Sequence, residues 1–203
     1  MLNDELPALA APVKECPLVS VLQAAQKDLQ TQDSRSDALT ALKQQAIGKQ
    51  LEKFSVVGSS GEKLTPEDLK DAVTVLHFWD YRDAPLEEPY GQTGYLDFLA
   101  RQNKGVKVYG VMVDDRLDDA TSRGQALASA RKVKAFMNLS YPVLLDEAML
   151  LKQVGDPRTT GAKLPLFVVI GKDGKITHYH SGFYEVKRDE GLAELGAAMQ
   201  AAK

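Results

Sequence analysis

Val73-Thr74-Val75-Leu76-His77-Phe78-Trp79 is the stretch that decides the fold. It is a nearly continuous apolar run of β-formers, the pattern of a central strand buried on both faces of a sheet. Asp80-Tyr81-Arg82-Asp83-Ala84-Pro85-Leu86 follows it, and a helix is predicted from about Pro85 to Arg101. Val106 to Val113 repeats the buried-strand pattern and stops at Asp114-Asp115. Strand, helix, strand in that order predicts a parallel crossover.

Working outward toward the C-terminus, residues 121–138 read as a helix, Tyr141-Pro142-Val143-Leu144-Leu145-Asp146 as an extended piece, and Glu147 to Val154 as a short helix. Leu164 to Ile170 is a strand, and Ile176 to His180 returns after Gly171-Lys172-Asp173-Gly174-Lys175. The Asp-Gly pair there signals a hairpin turn. Residues 189–202 form a closing helix. Parallel pairs early and an antiparallel hairpin late predict an α/β fold with a mixed sheet covered by helices on both faces.

Upstream the character differs. Residues 1–17 hold Pro7, Pro12 and Pro17 and read as an extended leader. Leu18, Val21, Leu22, Ala25 and Leu29 are spaced as a helix over 18–31, and Asp33-Ser34-Arg35-Ser36 is expected to break it. A second short helix carries Leu39, Leu42 and Ala46, with Gly48 as its C-terminal cap. Phe54-Ser55-Val56-Val57 is a strand and Gly58-Ser59-Ser60-Gly61 a turn. Thr65-Pro66-Glu67-Asp68 starts a helix, with Thr65 capping and Asp68 at the capping-box position. The expected organisation is a leader and helical extension over 1–46 and one α/β domain over 47–203.

This order of elements, with Ile47-Gly48-Lys49-Gln50 and Phe54, Val75-Leu76-His77-Phe78-Trp79, Tyr141-Pro142-Val143-Leu144-Leu145-Asp146, and Gly161-Ala162-Lys163-Leu164-Pro165-Leu166-Phe167-Val168-Val169-Ile170-Gly171-Lys172-Asp173-Gly174-Lys175-Ile176, resembles the thioredoxin-like superfamily. The likeness is to its TlpA-like and redoxin branch of thiol–disulfide oxidoreductases and covers roughly residues 47–200. It implies a three-layer α/β/α fold, and an extracytoplasmic location after removal of an export signal. It also implies a cis-proline at Pro165, preceded by Leu164, bordering a groove in which an extended peptide pairs with backbone.

In the family, the strand ending in Phe-Trp leads to Cys-x-x-Cys. Here Asp83-Ala84-Pro85-Leu86 stands in that place, with Asp83 at the nucleophilic and Leu86 at the resolving position and Pro85 kept. A helix N-terminus that stabilises a thiolate also stabilises a carboxylate, and Asp is a preferred N-cap. Asp83 is therefore read as a structural anion, with a ligand-contacting or acid–base role as the competing reading. The expected function is a redox-inactive thioredoxin-fold module that binds a protein or extended peptide or serves as a scaffold. The alternative is a thiol-dependent oxidoreductase or one-cysteine peroxidase using Cys16, the only cysteine of the 203 residues. Cys16 lies beside Glu15, which disfavours the thiolate.

The resemblance sets His77 beneath the active-site position. We read it as a core histidine held by backbone or water, against a proton-handling role near Asp83. His178 and His180 share a strand face, a spacing that suits a metal only with further ligands, and are read as solvated strand positions. Residues 115–130 and Asp156-Pro157-Arg158-Thr159-Thr160 are read as solvated surface, with partner contact as the alternative. The acidic residues lack calcium-loop spacing.

The composition excludes several classes. With 44% apolar and 26% charged residues and a net charge of −3, no basic stretch interleaved with aromatics marks a nucleic-acid face. No apolar run reaches the roughly 20 residues of a membrane span. No Gly-x-Ser-x-Gly elbow is present for a Ser-His-Asp hydrolase. The reading calls for no metal and no cofactor. The acidic start Met1-Leu2-Asn3-Asp4-Glu5 is unlike a signal peptide, which leaves a cytoplasmic chain or one whose export signal has been removed.

Overall fold

The computed structural model describes residues 18–81, 91–147, 149–185 and 191–203. The chain divides into two compact units, Met1–Ala41 and Leu42–Lys203. The described part of the first belongs to helix α1 (Leu18–Ala46). This helix is continuous, so the break expected at Asp33-Ser34-Arg35-Ser36 is corrected. Ser34 Oγ donates to the Gln30 carbonyl and Thr31 Oγ1 to the Lys27 carbonyl, each at 2.9 Å. Bonding back by one turn lets short polar side chains sit inside a helix without competing for its backbone. The helix ends where expected, at Gly48, whose φ of 83° is a conformation that other residues adopt at a cost.

The second unit is built on a seven-stranded sheet of order β2-β1-β5-β4-β3-β6-β7. Its strands are β1 (Val56–Gly58), β2 (Lys63–Leu64), β3 (Val73–Asp80), β4 (Val106–Val113), β5 (Val143–Asp146), β6 (Leu166–Ile170) and β7 (Ile176–Ser181). β3 pairs parallel with β4 and antiparallel with β6, and β4 pairs parallel with β5. The sheet is mixed, as the sequence implied. The helices are α2 (Gly91–Gln102), α3 (Arg123–Phe136), α4 (Met149–Val154) and α5 (Leu192–Ala201).

Alternation along the strands sorts the core into two layers. One face carries Val73, Val75, His77 and Trp79 of β3 with Val108 and Met112 of β4 and Phe167 and Val169 of β6. Leu96 and Leu99 of α2, Ala126 and Ala130 of α3, and Leu195 and Met199 of α5 pack into that cluster. The other face carries Leu76, Phe78, Val168 and Tyr179, all buried. There the Tyr179 hydroxyl donates to the Gly155 carbonyl just beyond α4 at 2.7 Å. The three-layer expectation therefore holds.

Two local readings change. Thr65-Pro66 opens a single 3₁₀ turn (Pro66–Leu69), not a helix. The Asp68 carboxylate accepts from both the backbone N–H and the hydroxyl of Thr65 at 2.8 Å, and these bonds hold its pKa below the usual range. The strand predicted from Phe54 begins at Val56, because Phe54 itself turns into the core at 4% exposure. The entry segment is tied to the hairpin: Gly48 N–H donates to the Ile176 carbonyl and Ile176 N–H to the Lys49 carbonyl.

Gly110 of β4 is required by a close approach. A Cβ there would lie 3.2 Å from Tyr141 Cε2 and 3.4 Å from Trp79 Nε1. Both rings are buried, so Gly110→Val is expected to lower unfolding free energy by about 1–3 kcal/mol through overpacking. Urea denaturation followed by Trp79 fluorescence measures this; an unchanged midpoint would show that the two rings are free to move apart.

Candidate functional site

The C-terminal ends of β3 and β4 and the start of β6 meet at one rim of the sheet, because β6 runs antiparallel to β3. Phe78 pairs with Leu166, the last pair of the β3–β6 ladder, so the chain before Leu166 and the end of β3 lie at the same rim. The Leu164–Pro165 peptide bond is cis. Leu164 and Pro165 are both buried, and the Pro165 carbonyl accepts from Gly182 N–H at 2.7 Å. Leu164 makes no backbone hydrogen bond among the described residues. Of the other positions singled out in the sequence, Trp79 is buried at 1% exposure. Asp83, Pro85, Leu86 and Cys16 lie outside the described residues.

Two Asp-x-Arg turns grip the exit of β3. Asp114 accepts from the backbone N–H of Arg116 and from its guanidinium, at 2.6 to 3.1 Å. Asp156 does the same for Arg158, at 2.8 to 3.1 Å. Each clamp presents its cation to the chain leaving β3. The Arg116 guanidinium stacks 4.6 Å above the Tyr81 ring, and Arg158 Nη1 lies 3.5 Å from Asp80 Oδ1. Residues 115–130 and 156–160 are thus only partly the solvated surface expected. Arg116, half-buried, and Arg158, at the surface, are each held in place because a bidentate carboxylate fixes the guanidinium plane. The Asp-x-Arg spacing occurs four times in the sequence, also at Asp33 and Asp80, so it does not by itself mark these two turns.

His77 is fully buried and stacks on Phe167, its partner across β6, with ring centroids 4.5 Å apart. Neither Nδ1 nor Nε2 has a protein hydrogen-bond partner among the described residues, so no described backbone group holds the ring. Burial lowers its pKa to about 3, so it is neutral at physiological pH.

His178 and His180 are half-buried rather than solvated, a second correction. Tyr184 folds back over them. Its ring stacks 3.8 Å from that of His180, and its hydroxyl lies 2.7 Å from His178 Nε2. Burial lowers both imidazole pKa values, which suits Tyr184 donating to a neutral His178. The ring planes of the two histidines are nearly parallel with centroids 6.4 Å apart. No group of three His, Cys, Asp or Glu side chains able to hold a metal occurs among the described residues. Phe167, which also packs against Tyr184 at 4.9 Å, joins all three histidines of the chain into one aromatic layer. Tyr184 was not foreseen, because Gly182-Phe183-Tyr184 falls after the strand and carries no pattern of its own.

The arrangement of strands, rim and cis-proline is that of a thioredoxin-like fold. Residues 47–179 match the AhpC/TSA family, and the chain belongs to it. Among solved structures, the chain is similar to a secreted disulfide oxidoreductase of Mycobacterium tuberculosis homologous to E. coli DsbE. Identity is 19% over 73% of this chain and 95% of that one, with a TM-score of 0.52. A thioredoxin-family thiol:disulfide interchange protein from Chlorobium tepidum aligns at 16% identity over 76% and 96%, with a TM-score of 0.56. An uncharacterized conserved protein from Geobacillus kaustophilus aligns at 23% over 77% and 81%, with a TM-score of 0.58. No curated protein matches the sequence. No helix among the described residues is long and apolar enough to cross a membrane.

The buried, neutral His77 makes stability acid-sensitive. Its folded pKa of about 3 lies below the unfolded value near 6.5, so the unfolded chain gains a proton first as pH falls. The stability this group supports is present above pH 6.5 and declines below it, by about 3 kcal/mol at pH 4. His77→Phe keeps a ring on Phe167 and is expected to flatten the stability profile between pH 6.5 and 4. Parallel acid profiles for the two proteins would count against this burial effect.

Proposed function

We propose that this AhpC/TSA-family protein performs no thiol–disulfide exchange and acts as a binding or scaffold module for a protein or extended peptide. The observation that carries the reading is the pair Asp83 and Leu86 at the positions where the resemblance places the two reactive cysteines. Neither side chain can form a mixed disulfide, and Cys16 is the only thiol in the chain. The structural relatives include disulfide oxidoreductases, so the scaffold of that chemistry is present while its sulfur is missing. Leu164 supports the binding half of the proposal. It precedes β6 at the rim where the β3–β6 ladder ends, and its backbone is available to pair with an extended chain in the β-augmentation manner. An extracytoplasmic location accompanies the reading, in line with the secreted relative.

The enzymatic half is tested by insulin reduction with dithiothreitol, where the protein is expected to give the uncatalysed rate. Turnover above background that survives Cys16→Ser would overturn it. The doubly substituted Asp83→Cys/Leu86→Cys protein, treated with diamide as oxidant, is expected to form an intramolecular disulfide, seen as a mass loss of two hydrogen atoms that are taken up by the diamide. For the binding half, amide NMR titration with a cysteine-free extended peptide should move the Leu164, Leu166 and Asp80 signals together. A titration that leaves these three in place would remove the groove from the reading.

A further inference from the structure

The cavity between α3 and the β1–β5 edge has no part in the rim described above, and none of the residues singled out there line it. Its volume is about 430 Å³, within the range of small-molecule sites. α3 seats Ala126 and Ala130 in the core, and the cavity lies beside them along Arg123, Gly124, Leu127 and Arg131. Gly124 lines the cavity, and a Cβ built there meets no atom within 4 Å. Val57, Leu127, Leu145 and Met149 give it apolar walls. Val57 and Met149 are 50% and 52% exposed, an unusual degree for apolar side chains at the margin of a core.

Arg131 closes one end. Its Nε donates to the Ser59 carbonyl at 2.6 Å, which fixes the guanidinium, and no carboxylate pairs with it among the described residues. Every other arginine described in residues 42–203 has an acid partner: Arg101 with Asp97, Arg116 with Asp114, Arg123 with Glu147, Arg158 with Asp156. The acids near the cavity are already engaged. Glu147 pairs with Arg123, Asp146 accepts from the N–H groups of Leu150 and Leu151, and Glu62 pairs with Lys134. Arg131 is therefore an uncompensated, positioned cation at the end of an apolar trough. Arg123 lies eight residues away on the same helix, about 12 Å at a rise of 1.5 Å per residue.

We propose that this cavity binds a small organic monocarboxylate with an apolar body, its carboxylate on the Arg131 Nη groups and its body along Val57, Leu127 and Leu145. One free guanidinium matches one negative charge and offers the planar fork that a carboxylate accepts. A multiply charged phosphate would leave charge without a partner, and a purely polar anion would leave the apolar walls unused.

Isothermal titration of the full chain with octanoate tests the assignment. Saturable binding is expected, with octanol and acetate each weaker by about tenfold or more, since each lacks one of the two interactions. Arg131→Gln is expected to weaken octanoate by a similar factor. Gly124→Leu should abolish binding by filling the trough, while favouring the helix it sits in. Circular dichroism and thermal melts verify that both variants fold. Absence of saturable octanoate binding overturns the proposal. So does octanol or acetate binding as tightly as octanoate, or octanoate binding that either folded substitution leaves unchanged.

Discussion

The rest of the structure depends on the double-sided burial of β3. Seven of its eight residues are buried, and it is hydrogen-bonded along its length to β4 on one side and through most of it to β6 on the other. A strand with no exposed face or edge leaves its backbone groups no alternative to the ladder, because an unpaired buried N–H or C=O costs too much. That fixes register on both sides. Register in turn decides which side chains share a layer, and where the cis-proline strand begins relative to the exit of β3. The end of β3 and the cis-proline segment before Leu166 share one rim because the β3–β6 ladder runs out to Phe78 and Leu166.

The same constraint explains why a histidine persists in the middle of β3. A side chain at position 77 must be accommodated without water, and the space offered is flat, walled by Phe167. Neutral imidazole fills it as an aromatic ring, at the cost of two nitrogens without partners among the described residues. The stacked layer continues through Phe167 to Tyr184, His180 and His178. The histidines thus become less basic and less exposed from β7 inward to β3, in a gradient set by burial.

The sheet and its order were legible in the sequence because buried strands are written in apolar runs that no other element produces at that length, as at Val73–Trp79 and Leu164–Ile170. Short-range turn chemistry was legible as well, at Gly48 and at Asp173-Gly174. What could not be read was whatever depends on a partner distant in the chain. Ser34 looks like part of a helix break until its hydroxyl is seen to bond one turn back. Arg116 and Arg158 look like surface charges until Tyr81 and Asp80 are placed beside them. His178 and His180 look solvated until Tyr184 closes over the strand. The cavity beside α3 has no sequence signature at all, since its lining comes from segments as distant as Val57, Leu127 and Leu145.

The two Asp-x-Arg clamps bear on how a redoxin scaffold persists without its cysteines. The rim where the reactive sulfurs would stand is the place in the fold with the fewest packing constraints, because strands end there and loops begin. Removing a catalytic function from such a place removes the chemical pressure on its geometry, and the loops would then be held only by their own local interactions. Here the chain leaving β3 is held from two sides by guanidinium groups, each locked by a bidentate carboxylate that also caps a 3₁₀ turn. Arg116 stacked on Tyr81 and Arg158 beside Asp80 reinforce the exit of β3, where Tyr81 N–H still donates to the Val113 carbonyl at 3.1 Å. A rim fixed this firmly is preorganised, and preorganisation lowers the entropy lost when a partner chain docks. Arg116 and Arg158 are thereby committed to shaping this surface, each held by its own carboxylate and turned toward the end of β3.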